Sequence, residues 1–254
     1  MNDILGNLQL VDASDILLHE THEDVRLASL CQSLEQDGVL RNPPIAVQTQ
    51  GGQYLIIDGA HRTQAMQMLG YDKILIQVVD RNRISIGCWE HVVPLGEWWN
   101  SLREDPLFRW ETELSSEQPI AEFLEADGTR RWLYPIDDVR HLMQRLALWH
   151  RVTQAYATTV TVNRQPLGWG GLPPANTVLV RFERCTLEEL ETVVAAGEVM
   201  PSGVTRFEID DRLLNVCVPL QYLKEIGGSN ALHQFLDDKR NKLRYYSKSV
   251  YFCE

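Results

Sequence analysis

The chain has 254 residues, 44% hydrophobic and 23% charged, which is enough apolar material for one large or two modest cores and excludes a disordered chain. Its formal net charge of -11 repels a polyanion such as DNA, although a local basic pocket can still hold one nucleotide. No apolar run approaches the roughly 18 residues of a membrane span. The start MNDILGNLQLVDASD lacks the basic-then-apolar order of a secretory signal, and five dispersed cysteines (Cys31, Cys88, Cys185, Cys217, Cys253) with no C-x-x-C pair read as reduced thiols of a cytoplasmic protein.

In chain order, Val25 to Gln36 places Leu27, Leu30, Cys31 and Leu34 on one helical stripe, with Gly38 as a stop. Two short strands follow, Ile45 to Thr49 and Gln53 to Ile57, joined by Gln50-Gly51-Gly52. After a polar turn, Thr63 to Leu69 reads as a helix closed by Gly70, and Ile74 to Val79 as a buried strand. Helix, strand, strand, helix, strand make a small α/β unit. Trp89, Trp98, Trp99 and Trp110 then crowd together; each tryptophan buries about 150–250 Å², so this section reads as packing between domains. Asp137 to Ala157 is the longest helical pattern, with Val139, Leu142, Met143, Leu146, Trp149 and Val152 on one face. Pro166 to Pro174 reads as a loop and Thr177 to Phe182 as a strand. Thr186-Leu187-Glu188-Glu189 is a capping box opening a helix that ends at Gly197. Leu213 to Val218 and Ser249 to Phe252 read as further strands. The expected class is α/β (α+β), with one domain over 1–96 and a second α/β domain over 97–254.

The polar turn carries the chemistry. In YLIIDGAHRT, residues 54–63, a buried strand runs straight into Asp-Gly, then a histidine and an arginine. At a strand-to-helix junction, the first helical N–H groups and the helix dipole favour an anion. Gly59 lets the backbone approach a ligand, Arg62 offers a fork for two phosphate oxygens, His61 can donate, and Thr63 can cap the helix or touch a phosphate. Asp58 would repel phosphates, so it suits either a Mg²⁺ between them or a hydroxyl or amine of a second substrate. Alone, D-G-x-H-R also fits an ordinary turn with a packed histidine. A late basic cluster, Lys239, Arg240, Lys242, Arg244 and Lys248, fits a solvated helix face.

The order of elements around Y-L-I-I-D-G-A-H-R resembles the ParB/sulfiredoxin-like superfamily. Sulfiredoxins carry a catalytic cysteine before the His-Arg pair; here Ala60 stands there, which excludes that chemistry. ParB proteins carry G-E-R-R where this chain has Gly59-Ala60-His61-Arg62, and no helix-turn-helix module is evident downstream. The free L-serine kinases resemble the chain better. They share D-G-x-H-R, an upstream His-Glu pair (His19-Glu20), a tryptophan after the turn (Trp89 in GCWEH) and a late Thr-Arg (Thr205-Arg206). The archaeal members have histidine where this chain has Phe207. The bacterial serine kinases of staphyloferrin B siderophore biosynthesis are similar in particular, through VP-x-G-x-WW at Val93 to Trp99 and GVTRF at Gly203 to Phe207.

The resemblance implies transfer of a phosphoryl group from ATP or ADP to free L-serine, giving O-phospho-L-serine for siderophore precursor (2,3-diaminopropionate) supply. It implies Glu20 as general base, Asp58 on Mg²⁺ or on the serine hydroxyl, and Gly59, His61, Arg62 and Thr63 on the phosphates. Trp89, Thr205 and Arg206 fall on the serine side, in a cleft between two lobes. From the residues alone, Glu20 also reads as a surface glutamate, Trp89 as core packing, and Arg206 as the partner of an acid such as Glu208. The rival expectation is a ParB-like DNA-binding regulator, ligand- or haem-responsive, with the 239–248 cluster as its local support.

Overall fold

The computed structural model describes residues 3–20, 24–224, 228–246 and 250–253; Lys248 and Ser249 lie outside them. The chain divides into two compact units, Met1–Ser85 with Phe207–Glu254, and Ile86–Arg206.

The first unit opens with β1 (Leu8–Asp12), β2 (Ile16–Leu18), α1 (Asp24–Asp37), β3 (Val39–Leu40), β4 (Ile45–Gln48), β5 (Tyr54–Asp58), α2 (Ala60–Met68) and β6 (Lys73–Val79). Five strands form a mixed sheet in the order β1-β6-β4-β5-β2. β5 pairs antiparallel with β4 and parallel with β2, with Leu18 opposite Ile56. Its Leu55, Ile56 and Ile57 are buried in succession because an interior strand of this sheet is covered on both faces. Each such side chain contributes roughly 1.5–3 kcal/mol of burial, which anchors the polar residues that follow it.

The helix expected from Thr63 begins at Ala60, so His61, Arg62 and Thr63 form its first turn. The sequence hid this start because its cap is a glycine in the left-handed region rather than a Ser, Thr, Asp or Asn.

The second unit contains most of β7 (Ile84–Pro94), then α3 (Glu97–Arg103), β8 (Phe108–Glu111), β9 (Ala121–Glu125), β10 (Arg130–Pro135), α4 (Leu142–Ala157), β11 (Asn163–Pro166), β12 (Thr177–Phe182), α5 (Leu187–Ala195) and the start of β13 (Thr205–Ile209). A seven-stranded sheet runs β11-β7-β12-β9-β10-β8, with β13 also on β7. Trp98, Trp99 and Trp110 pack inside this unit against Phe123 and Tyr156, with ring centroids 4.8–5.6 Å apart. That corrects the expectation of packing between domains. α4 starts five residues later than its apolar stripe suggested, at a capping box closed by His141 and Gln144.

The chain then returns to the first unit with β14 (Arg212–Leu214), β15 (Val218–Pro219), α6 (Gln221–Lys224), α7 (Gly228–Arg240), β16 (Leu243–Tyr246) and β17 (Val250–Cys253). The single strand expected over Leu213 to Val218 is broken in two, because Asn215 (φ 56) and Cys217 (φ 53) both take left-handed backbone. β15 pairs with β3, and Leu213, Val216, Val218, Leu220, Leu223, Leu232 and Leu236 enter one core with Ile4, Leu27, Ile56 and Leu75. The observed division therefore differs from 1–96 and 97–254: residues 207–254 belong with the first unit, since their leucines and valines complete its core.

Candidate functional site

The turn after β5 is built around Gly59. Its φ of 88° belongs to the left-handed region, and a Cβ there would lie 2.7 Å from Arg62 Nη2. The arginine folds back over that bare backbone. Its Nη1 donates to the Asn42 carbonyl at 2.8 Å and its Nη2 to Asp58 Oδ2 at 3.0 Å. Burial pulls the Arg62 pKa down, and the Asp58 carboxylate beside it holds it up. Thr63 is fully buried, and its hydroxyl donates to the Gly59 carbonyl at 3.1 Å, so it ties the turn together from inside. His61 lies half-buried in the same first turn. The N–H groups of Ala60, His61 and Arg62 precede the first intrahelical bond, which runs from Thr63 to Gly59.

His19 and Glu20 follow β2 directly. Because Leu18 sits opposite Ile56 in a parallel pair, the register carried two residues on sets Glu20 level with Asp58. His19 is buried, and its Nδ1 donates to the Ile56 carbonyl at 2.7 Å, which fixes the Nδ1–H tautomer. Its ring meets Phe207 edge-on with centroids 5.1 Å apart. Burial lowers its pKa, against opposing pulls from Glu20, the Ile56 carbonyl and Asp58. His19 thus ties the end of β2 to β5 through its ring nitrogen, with both carboxylates near enough to act on it.

Trp89, Thr205 and Arg206 belong to the other unit. Arg206 lies over the Trp89 ring, 5.0 Å from its centroid. Thr205 precedes Arg206 in a strand, so its side chain points to the opposite face. It is buried there, with its hydroxyl unpaired. The structure therefore groups Trp89 with Arg206 and sets Thr205 apart from them. Neighbouring His91 is buried and neutral: Tyr156 Oη donates to its Nδ1, its Nε2 donates to the Gly203 carbonyl, and burial pushes its pKa down to about 4.

These features have counterparts among known proteins. The family model of the ParB N-terminal domain matches residues 8–90. The ATP-dependent L-serine kinase SbnI of Staphylococcus aureus is 36% identical over 257 aligned residues, which cover 100% of both chains. The chain belongs to the SbnI family of ATP-dependent L-serine kinases. Within the SbnI family, the solved structure of C-terminally truncated SbnI from Staphylococcus aureus matches with a TM-score of 0.84 at 34% identity, covering 94% of this chain and 99% of that one. A free serine kinase variant solved in complex with ADP shares the fold, with a TM-score of 0.69 at 17% identity over 85% of this chain and 94% of that one.

Sequence reasoning missed three residues around this SbnI-family turn. Asn42 accepts from Arg62 through its carbonyl and from the Asn215 N–H through its side chain at 2.7 Å. Arg212 pairs with Asp58 Oδ2 at 3.2 Å. None of the three carries a local motif. Of the late basic cluster, Lys239 lies over the Phe235 ring and Arg240 pairs with Asp3 and Asp237.

Among the described residues, no three of His, Cys, Asp and Glu gather as a metal cage. Mg²⁺ does not need one, because it takes one or two carboxylates plus substrate phosphates. Asp58 fits that part: both guanidinium groups sit on its Oδ2, which leaves Oδ1 for a cation. No helix among the described residues is long and apolar enough to cross a membrane.

Proposed function

We propose that this chain transfers the terminal phosphoryl group of ATP to the hydroxyl of free L-serine, giving O-phospho-L-serine and ADP. The observation that carries this reading is that Glu20 and Asp58, just past and at the end of two parallel strands, both act on the buried His19, in a chain aligned end to end with an ATP-dependent L-serine kinase.

Glu20 takes the proton of the serine hydroxyl as that oxygen attacks phosphorus, a contribution of roughly 10²–10⁴-fold. The amides at the start of α2 and the cationic groups around Asp58 receive the phosphates. Arg62 serves chiefly as the strut that fixes Asp58, because two of its nitrogens are already engaged. Mg²⁺ would be held by Asp58 and the phosphates, where it neutralises charge on the transferring group. Arg206, stacked on Trp89, pairs with the serine carboxylate. The reaction belongs in the cytoplasm, in keeping with the free thiols of Cys31, Cys88, Cys185 and Cys217. Its product suits a siderophore pathway that builds 2,3-diaminopropionate.

The test is direct. Purified protein, Mg²⁺, ATP and L-serine are incubated and followed by ³¹P NMR. A phosphomonoester resonance that co-migrates with O-phosphoserine and requires serine is expected. ATP turnover indifferent to serine, or none at all, would sink the proposal.

A further inference from the structure

The peptide groups on either side of Arg212 are held by one side chain. Gln77 is fully buried on β6; its Nε2 donates to the Asp211 carbonyl at 2.6 Å, and its Oε1 accepts from the Leu213 N–H at 2.9 Å. Asp211 itself has left-handed backbone (φ 59) and pairs with Arg83. Strained backbone persists where its surroundings over-determine it. Here the surroundings fix one thing, the point from which the Arg212 side chain leaves β14.

That side chain ends on Asp58. Arg212 Nη2 lies 3.2 Å from Asp58 Oδ2, and among the described residues this ion pair is its one polar contact. A guanidinium has five N–H donors in a planar fork, and this one is two-thirds covered, with 33% of the side chain exposed. Arg62 differs: its two terminal nitrogens donate to Asn42 and Asp58, and it is packed onto Gly59. The turn thus holds one arginine pinned on two sides and packed onto backbone, and one tethered at a single nitrogen, beside helix amides that favour an anion.

We propose that Arg212 contacts the nucleotide's phosphates directly, and that Gln77 is the positioning residue that holds it there. The assignment rests on the kinase reading above. Arg212 keeps Nη2 on Asp58 and turns its remaining donors to phosphate oxygens, so the two arginines divide the work: Arg62 fixes the carboxylate, Arg212 grips the ligand. The ligand class is a polyphosphate, since several acceptor oxygens are needed to use the fork.

Isothermal titration with ATP and, separately, adenosine tests this on the full chain. Arg212→Gln is expected to weaken ATP by about 10- to 100-fold while leaving adenosine affinity unchanged. Arg212→Lys, which keeps the charge and loses the fork, is expected to fall between. A merely structural role predicts a lower melting temperature with the preference for ATP over adenosine intact. An unchanged ATP affinity in Arg212→Gln, or equal losses for ATP and adenosine, would overturn the assignment while the kinase reading stands. Should Arg212→Gln fail to fold, the ratio of the two affinities in Arg212→Lys decides, and an unaltered ratio overturns the assignment. Wild-type protein that binds no ATP overturns both.

Discussion

Replacing Gly59 by alanine tests the geometry of the turn most sharply. Two costs follow from the structure. At φ 88° an alanine sits in the left-handed region, at about 1 kcal/mol. Its Cβ would also fall 2.7 Å from Arg62 Nη2 and 3.0 Å from Nε, so the guanidinium must move off Asn42 and Asp58. A charge-assisted hydrogen bond contributes about 1.5–3 kcal/mol when buried; with 22% and 37% of the two side chains exposed, the loss is nearer 1–2 kcal/mol. The sum, about 2–3 kcal/mol, corresponds to a melting temperature lower by roughly 5–10 °C for a chain of this size. Displacing Arg62 removes one of the two guanidinium groups that fix Asp58, so turnover should fall about 10²-fold. Differential scanning fluorimetry and the phosphoserine assay measure the two effects. Gly59→Asn separates the terms, because asparagine tolerates the backbone but keeps the Cβ; it should recover only the backbone share, about 1 kcal/mol, without recovering activity. An alanine variant that melts with the wild type and turns over at the wild-type rate would refute the reasoning.

Three other outcomes are expected. Glu20→Gln should lower kcat by about 10²–10⁴-fold with ATP affinity unchanged by calorimetry; wild-type turnover would remove Glu20 from proton transfer. Trp89→Leu should raise KM for serine and leave KM for ATP in place, since the ring supports Arg206; the opposite split would move Trp89 to the nucleotide. His91 makes folding acid-sensitive: its pKa of about 4 lies below the ordinary 6.5, so an unfolded chain takes up the proton first as pH falls. That stability is whole above pH 6.5 and is lost between 6.5 and about 4, by about 3 kcal/mol in total. A ring resonance of His91 titrating near 6.5 by NMR would contradict the buried, doubly bonded imidazole.

What the sequence revealed was what is local. The strand Tyr54–Asp58 and the Thr186 capping box announce themselves within a few residues. So does the cluster after Asp58, through its resemblance to a family. Arg212 and Asn215 reach the turn from far along the chain, and nothing beside them in sequence says so. The tryptophans show the same limit from the other side: their number announced burial, and only the tertiary fold decided in which core. The alternation of Thr205 and Arg206 was legible in principle, but it needed the strand to be known first.

The return of residues 207–254 to the first unit bears on how the protein is made. Leu213 and Leu232 share a core with Ile4 and Ile56, so the opening segment emerges from the ribosome long before its partners exist. The intervening segment, Ile86–Arg206, is contiguous and can close on itself during translation. Until the last leucines are synthesised, the nascent N-terminal strands have exposed apolar faces.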